Sequence, residues 1–436
     1  MPNPRSLLDG LREAVRPFYL RHIYFPMRPD RRPVEFARCW EVPHEFRGGP
    51  PRLEIPPAGP AQPDVLFLPM TDWHHRRQRS QQLALALAAL GRRCFLLNPH
   101  LGREYPSAPW RSRPPALARL GERVFEIHAP LPSEPVFHHR LLDGRESRAV
   151  ADSIDWALER AGTRRLDIVS SLPTWKDCAR ELRRRRHATL VYDCHDWLAG
   201  FPNMARALVG AERRCMEDAD AVLFSAASLQ ERFCRELPPL AAKAFLLRNG
   251  VPEWPAPAAG RAGAPVAGYV GALEEWFWTE AVAEAARALP EVRFLLAGEA
   301  SAAVRRALGG FANVELPGEV PHDSVPDLLG QCRVGLIPFR GELIPFTDPL
   351  KVYEYFHYGL PVAASRVPEL DRFGDLVYQA STPAGFVEAL RAALAENDPA
   401  REAARRREAG AATWRCRAEA LAECLAKAGS GRAHGS

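Results

Sequence analysis

The strongest constraint on the fold is an alternation of short apolar runs and amphipathic helical stretches, which occurs twice along the 436 residues. The first series begins at Asp64 with DVLFLPM, SQQLALALAALG and RCFLLN, and it continues through RVFEIH, LDIVSS, TLVYDCHD, AVLFSA and AFLLRN. An apolar strand, a helix and another apolar strand are typical of a βαβ unit, and repeating that unit builds a parallel sheet covered by helices. The first series therefore predicts an α/β domain over residues 61–250.

A stretch rich in proline, glycine and alanine, GVPEWPAPAAGRAGAP, interrupts the alternation and predicts a linker at residues 251–265. The alternation restarts with PVAGYVGA, VRFLLAGE, NVELPGEV, VGLIPF and LPVAAS, which predicts a second α/β domain at 266–400. We expect a mostly loop extension with a short helix at 1–60, a helix at 401–428 whose candidate packing surface is the first domain, and a flexible tail at 429–436. The predicted fold class is α/β, with two tandem Rossmann-like doubly wound domains that face a cleft.

Composition narrows the class of protein further. The nine cysteines include no CxxC pair, which argues against a disulfide framework and a zinc site and fits a reducing cytoplasm. No apolar run approaches the ~18 residues that a membrane span needs.

Residues 1–250 contain 39 Lys and Arg against 29 Asp and Glu, whereas the remainder contains 19 against 24. The basic half favours an anionic partner, such as a phosphate, a membrane surface or nucleic acid, and an arginine-rich surface without a partner is the alternative.

The segment DPLKVYEYFHYGLPVAAS, which begins at Asp348, predicts a short helix at the carboxyl edge of the second sheet. We expect Asp348 to cap the helix Leu350–Tyr358, with Pro349 at its first position. The N-terminus of a helix offers free N–H groups and a partial positive charge, which suit a diphosphate, and Lys351 adds a full charge. Glu354 could accept two ribose hydroxyl hydrogens at about 1.5–3 kcal/mol each. The alternative is a solvated ion pair of Lys351 with Glu354, worth a few tenths of a kcal/mol.

The same segment resembles the nucleotide-sugar segment of GT-B fold glycosyltransferases of the group 1, or GT4-like, superfamily, and within it the teichuronic-acid and exopolysaccharide type. Other matches follow in order: W-x-x-x-x-Q-R-x-Q-x-L-A at Trp73–Ala84, LVYDCHDWLAGFP, ERRCMEDADAVLFSAASLQERF, LLRNGVP, and GYVGALEEWFWTEAVAEAARALPEVRFLLAGE. The resemblance extends from about Asp64 to Ala380. It implies two Rossmann-like domains with a sugar-nucleotide donor held by the second.

The resemblance also implies roles for residues of the second domain. Glu354 matches the ribose-binding glutamate that ends an E-x7-E pattern. Phe346 stands where the first glutamate is expected, and Glu342 on a longer loop is the candidate for its place. The backbone at Gly318 and Val320 is where such proteins hold the base.

The donor phosphates are expected to face a glycine turn that begins at Gly271. In many relatives an Arg and a Lys follow that turn, but the sequence ALEEWFWTE contains neither. The charge of the diphosphate is therefore assigned to the helix N-terminus, to Lys351, and to Arg340 or Arg248.

In the first domain, the motif VYDCHDW ends a predicted strand with His195 and Asp196 at its carboxyl edge. His195 matches the histidine that contacts the transferred sugar in GT4-like enzymes, although a lone histidine at a strand end is often structural. Asp196 either orients the imidazole or caps the following turn. The basic loop Thr71–Ser80 either binds an anionic acceptor, such as a lipid-linked phosphate, or is a solvated loop.

The function implied by this resemblance is transfer of a sugar from a nucleotide-sugar donor to a saccharide or polyprenyl-linked acceptor in cell-surface polysaccharide synthesis. We expect retention of anomeric configuration, no metal, no other cofactor and no nucleic-acid partner. The expected location is the cytoplasm, with peripheral contact at the inner face of an anionic membrane as an option. A nucleotide-sugar 2-epimerase and a degenerate, non-catalytic sugar-nucleotide-binding protein are the alternatives.

The DxD at Asp218–Asp220 is interpreted as a helix-to-strand turn and Arg183–Arg186 as a solvated helix face.

Overall fold

The computed structural model describes residues 55–57, 62–71, 73, 77–98, 116–129, 131, 140–201, 204–255 and 265–433. The predicted extension at 1–60 therefore lies outside the described residues, apart from 55–57, as does most of the predicted linker at 251–265. Within the described part, no helix has the length and apolar character required to cross a membrane.

The first domain is built on an eight-stranded sheet in which every neighbouring pair is parallel except β3 with β4. Its strands are β1 (Asp64–Leu68), β2 (Cys94–Leu97), β3 (Ala116–Arg119), β4 (Val124–His128), β5 (Leu166–Ser170), β6 (Thr189–Cys194), β7 (Ala221–Phe224) and β8 (Ala244–Leu246). They are arranged in the order β3-β4-β2-β1-β5-β6-β7-β8. The helices between them are α1 (Arg79–Ala89), α2 (Gly144–Arg160), α3 (Lys176–Arg186), α4 (Arg206–Asp218) and α5 (Ala227–Glu236).

The second domain contains a six-stranded sheet that is parallel throughout. Its strands are β9 (Val266–Val270), β10 (Arg293–Ala297), β11 (Val314–Gly318), β12 (Val334–Ile337), β13 (Val362–Ser365) and β14 (Val377–Ala380), in the order β11-β10-β9-β12-β13-β14. Its helices are α6 (Thr279–Ala288), α7 (Ala302–Leu308), α8 (Val325–Gln331), α9 (Leu350–His357) and α10 (Pro383–Ala395). Two parallel α/β sheets in one chain confirm the predicted fold class.

Short 3₁₀ helices occupy several of the loops. They span Pro173–Trp175, Leu198–Gly200, Pro238–Lys243, His322–Ser324, Ile344–Phe346 and Pro368–Leu376. Those at 198–200 and 344–346 lie in the loops that follow β6 and β12, so they belong to the edges of the two sheets that face each other.

The C-terminal helical stretch is divided, where the sequence predicted one helix. It forms α11 (Pro399–Gly410) and α12 (Trp414–Ala433). The first of these packs on α9 of the second domain, whereas α12 returns to the first domain, where Trp414 and Leu421 join the buried cluster around Phe67. Helix α12 also includes residues 429–433, which were predicted as flexible tail, and its Gly429 lies close to the Thr189 hydroxyl of β6.

In the described residues the chain passes between the domains at 248–251, which is called the crossover, and again at 411–414, and these two segments are bonded together. Val251 N donates to Ala412 O at 2.9 Å, and Trp414 N donates to Val251 O at 3.0 Å. A Cβ on Gly250 would lie 2.8 Å from Ala412 O, so this close approach requires glycine. The two interdomain segments are therefore held together by backbone hydrogen bonds.

Both sheets change winding direction at a strand that is followed by cavity-lining residues. Strand β1 lies between β2 and β5, and β9 lies between β10 and β12. In open α/β sheets, ligands bind outside the carboxyl ends of the strands at such switch points. Here residues that follow β1 and β6 face residues that follow β9 and β12 across a single cavity.

Two sequence features outside the cavity have structural roles. Asp220 follows α4 and pairs with Arg183, and its second oxygen accepts from Leu190 N at 2.8 Å, so the DxD is a helix-to-strand turn. Arg185 and Arg186 pair with Asp155 at 2.9 and 2.6 Å. The arginine run is therefore neutralised by neighbouring carboxylates rather than left as a bare positive patch.

Candidate functional site

The candidate site is a cavity of about 550 Å³ between the two domains. The first domain and the crossover contribute Trp73, Arg77, Gln78, Arg79, His195, Asp196 and Asn249. The second domain contributes Tyr269, Val270, Gly271, Ala272, Trp276, Ala297, Gly298, Glu319, Val320, Pro321, His322, Asp323, Val325, Asp348, Leu350, Lys351 and Glu354. This volume and this mixture of polar and aromatic side chains suit an organic ligand of nucleotide size.

Glu354 is the buried carboxylate of the second domain's wall. The residue is only 7% exposed, and among the described residues no hydrogen bond to its carboxylate is found. Burial raises the pKa of Glu354 to about 7, and the charge of Lys351 opposes that rise. A carboxylate on the cavity wall without such a bond can accept hydroxyl hydrogens from a ligand.

Lys351 lies at the first turn of α9, beside the glycine turn. Its Nζ is 5.0 Å from the ring centroid of Tyr269 and 5.5 Å from that of Phe339. A Cβ on Gly271 would lie 2.6 Å from the same Nζ, and Gly271 has φ +144°, a conformation that favours glycine. The glycine turn, the ammonium group and the N-terminus of α9 therefore lie together at one end of the cavity.

A second glycine shapes this turn and was not singled out from the sequence. Gly298 follows β10 with φ +151°, and a Cβ on it would lie 1.9 Å from Gly271 O. Gly298 N donates to Gly318 O at 2.8 Å. The backbones at Gly271, Gly298 and Gly318, at the ends of three neighbouring strands, are therefore in direct contact. Gly318 itself lies behind the cavity lining, whereas Val320, two residues on, lines it.

Asp348 does not cap α9, and the predicted capping is wrong. The helix is capped by Pro349, without a side-chain hydrogen bond. The buried Asp348 carboxylate instead accepts from Asn249 N at 2.7 Å and from Tyr353 OH at 2.9 Å. Burial raises its pKa, and Arg372 opposes that rise most. Asp348 thus joins the crossover to α9, whose first residues, Leu350 and Lys351, line the cavity.

His195 and Asp196 line the opposite wall, in the first domain. His195 Nδ1 lies 3.2 Å from Asp193 O, and because a carbonyl only accepts, this contact places a proton on Nδ1. Nε2 is then 3.6 Å from the nearer carboxylate oxygen of Asp196. Burial raises the pKa of Asp196, while His195 and Arg79 oppose that rise. An imidazole nitrogen and a partly exposed carboxylate therefore face the ligand space together.

Three residues that the sequence predicted to bind the donor lie outside the cavity. Arg340 is 46% exposed and pairs with Glu280 of α6 at 2.6 Å, so it is not placed to neutralise a diphosphate. Glu342 is exposed on the loop after Gly341 and does not line the cavity. Arg248 pairs with Glu369 at 3.1 Å. The two arginines therefore bond carboxylates of neighbouring helical segments, and Glu342 is exposed, which spacing along the chain does not reveal.

Phe346, at the position of the expected first glutamate, has an interdomain contact. Its ring lies 5.0 Å from that of Trp197, which is part of the loop after β6 at residues 195–197, the His195 loop. Arg232 of α5 lies over both rings, at 5.2 and 4.8 Å. This position therefore docks the β12 loop on the first domain and supplies no carboxylate to the cavity.

Comparisons with known proteins agree with this architecture. Residues 264–396 match a family model described as "Glycosyl transferases group 1". Solved structures with the same architecture include sucrose-phosphate synthase from Thermosynechococcus elongatus, with TM-score 0.63 and 16% identity over 84% of this chain and 99% of that one. HepE from Anabaena in complex with UDP and glucose has TM-score 0.61 and 14% identity over 84% and 100%. A search of curated proteins finds no match.

An α,α-trehalose-phosphate synthase (UDP-forming) from Burkholderia xenovorans, in complex with glucose-6-phosphate, is similar to the same extent. Its TM-score is 0.58 at 15% identity, over 84% of this chain and 100% of that one. At such identities the likeness establishes the fold. The chain thus has the GT-B fold of glycosyltransferases, and its second domain matches the group 1 glycosyltransferase family.

Proposed function

We propose that the protein transfers a sugar from a nucleotide-sugar donor held by the second domain to an acceptor held by the first. The observation that carries this proposal is Glu354, a nearly buried carboxylate without a hydrogen-bond donor among the described residues, on the wall opposite His195. A ribose diol supplies two O–H donors to such an acceptor. The match of residues 264–396 to a glycosyltransferase family supports the same assignment.

The donor would lie along the edges of β9 to β12. The close backbone approach at Gly271 and Gly298 leaves room for phosphate oxygens, next to the N-terminus of α9 and Lys351. The base would lie near Val320, where Pro321 and Val325 give the cavity an apolar wall. In this placement the ribose hydroxyls reach Glu354 when the diphosphate occupies the helix end.

The reaction then depends on stabilising the departing diphosphate. The end of α9 and Lys351 supply positive charge where negative charge develops, so we propose that no metal or other cofactor is required. We propose that configuration is retained, that the leaving phosphate accepts the acceptor's proton, and that His195 positions the transferred sugar. Arg77 of the first domain pairs with Asp323 of the second at 3.4 Å, which brings the two walls of the cavity together at its exposed side.

The donor and acceptor classes are proposed from the ligands of the similar structures and from the charge of the cavity wall. HepE is in complex with UDP and glucose, and the trehalose-phosphate synthase is in complex with glucose-6-phosphate. UDP-glucose is therefore the first donor to test, and a sugar phosphate is one acceptor class. A saccharide or polyprenyl-linked acceptor of cell-surface polysaccharide synthesis is the other. Arg77, on the basic loop of the first domain, lines the cavity and gives an anionic acceptor a positive contact.

A second candidate is a sugar-nucleotide-binding protein without turnover. It is favoured by the position of Arg340 and Glu342 outside the cavity, because the diphosphate then has fewer cations and the sugar lacks one carboxylate contact. Donor stabilisation of the fold without nucleotide release, for every acceptor class, would support this candidate over transfer.

The test measures nucleotide release from UDP-, GDP- and dTDP-sugars with sugar-phosphate and saccharide acceptors, for the wild type, His195→Ala and Glu354→Ala. We expect both substitutions to reduce transfer by at least about tenfold, since each removes a contact worth more than about 1.4 kcal/mol. Glu342→Ala is the matched control, because this glutamate is exposed outside the cavity. Wild-type rates in both cavity variants would refute the proposed site.

A further inference from the structure

Arg79 connects parts of the molecule that are far apart in sequence. It begins α1 and is only 4% exposed, and its Nε donates to both carboxylate oxygens of Asp193, at 3.1 and 2.9 Å. Its Nη1 donates to Arg248 O at 3.3 Å and to Asn249 Oδ1 at 3.2 Å. One guanidinium therefore bonds the end of β6 to the interdomain crossover, and Arg79 also lines the cavity.

The bonds continue from Arg79 in both directions. Asp193, on the first-domain side, accepts the His195 Nδ1 proton on its backbone oxygen. Asn249, on the other side, donates to Asp348 through its backbone N at 2.7 Å and through its side-chain Nδ2 at 2.8 Å. Asp348 directly precedes Pro349, the cap of α9. A continuous hydrogen-bonded path thus joins the His195 loop to the helix that carries Glu354.

The planar guanidinium is what makes this path specific. Asp193 is 1% exposed, so its charge requires a partner, and Arg79 is the described residue that pairs with it at short distance. A lysine in its place would keep the charge but has no fixed fork with which to bond Asp193 and Asn249 at the same time. Arg417 of α12 donates to Asn249 O at 2.9 Å, which fixes the crossover from the second chain crossing as well.

We propose that Arg79 is a positioning residue, which couples occupation of the nucleotide site at α9 to the order of the His195 loop in the first domain. This inference rests on the proposed function, because it takes the α9 site to be the donor site. Ligand binding at one wall would then stabilise the arrangement of the other wall before the acceptor binds. Couplings of this kind are typically about 5- to 150-fold.

The test is hydrogen–deuterium exchange of the full-length chain with UDP, GDP or dTDP in excess, followed in peptides over residues 350–357 and 193–197. In the wild type, we expect the nucleotide that slows exchange over 350–357 to slow it over 193–197 as well. In Arg79→Lys, slowing over 350–357 should persist, while slowing over 193–197 should fall by about 5- to 150-fold. If this variant does not fold, Asn249→Ala replaces it in the test, because it removes the side-chain bonds of Asn249 to Arg79 and to Asp348 O while the backbone bond to Asp348 remains.

The control is Arg92→Lys, which removes a guanidinium of similar burial from the same domain. Arg92 is 5% exposed, pairs with Asp167 and donates to Pro63 O at 2.8 Å, at the amino edge of the sheet away from the cavity. We expect it to keep wild-type coupling. The inference alone is overturned if nucleotide slows exchange over 193–197 equally in Arg79→Lys and the wild type, or if Arg92→Lys loses that slowing to the same extent as Arg79→Lys. It is also overturned if nucleotide slows exchange in the wild type only over 350–357. No slowing over 350–357 with any nucleotide contradicts the donor site, and the inference with it.

Discussion

Replacing Glu354 by glutamine should make the protein bind nucleotide less tightly and, at neutral to alkaline pH, resist unfolding better. Burial raises the pKa of this carboxyl to about 7 from an ordinary value of 4.5. Keeping it ionised in the folded protein therefore costs up to about 3 kcal/mol relative to the unfolded chain. Because the folded pKa is the higher one, this cost is absent below about pH 4.5, grows between the two values, and is complete above about pH 7.

The glutamine variant lacks this titration and keeps nearly the same volume. Its free energy of unfolding should match that of the wild type near pH 4.5 and exceed it by about 2–3 kcal/mol at pH 8. Nucleotide affinity should change in the opposite sense, because a charged acceptor contributes about 1.5–3 kcal/mol per bond, and its loss weakens binding by roughly 10- to 150-fold. Stability gained at the expense of affinity is expected when a buried charge serves ligand binding rather than folding.

Urea unfolding at acid and alkaline pH measures the first effect, and titration calorimetry with UDP, GDP and dTDP measures the second. Glu342→Gln serves as the control, because Glu342 is exposed and lies outside the cavity, so neither quantity should change. A glutamine variant with wild-type affinity and no pH-dependent gain in stability would show that Glu354 neither faces the ligand nor carries a buried charge.

Two further substitutions test the glycine turn and the interdomain contact. Gly298→Ala places a Cβ 1.9 Å from Gly271 O at a φ of +151°, so we expect it to lower the free energy of unfolding by about 2–4 kcal/mol in chemical denaturation; an unchanged value would contradict the close approach. Phe346→Ala removes the contacts with Trp197 and Arg232, each worth about 0.5–1.5 kcal/mol. We expect the domains to open, with a larger radius of gyration in X-ray scattering, and an unchanged radius would show that this contact does not hold them together.

Much of the fold could be predicted from local pattern. Continuous apolar runs predicted the buried parallel strands, since both faces of such strands are covered. The antiparallel strand β3 was missed, although ALARLGERVFEIH contains a hairpin signal in its Leu-Gly-Glu turn. The break between α11 and α12 was missed as well, because Ala-Ala-Thr at 411–413 is no helix breaker; the pairing of Thr413 with Val251 produces the break.

The candidate site also contains residues whose positions the sequence could predict and residues whose positions it could not. Lys351 and Glu354 share one short helix, so their positions followed from helical spacing once the helix was placed. The directions of Arg340, Glu342 and Phe346 depend on partners in other elements, and no local pattern encodes them. Arg79 depends on Asp193 and Asn249, which are 114 and 170 residues away, so only the folded chain reveals its contacts.

The most direct test of the central claim is a crystal structure of the protein with a nucleotide sugar that protects it from thermal unfolding. The account predicts ribose hydroxyls within hydrogen-bond distance of the Glu354 carboxylate, diphosphate oxygens at the first turn of α9 beside Lys351, and the sugar directed toward His195. A nucleotide bound outside this cavity, or bound within it with its ribose away from Glu354, would contradict the account.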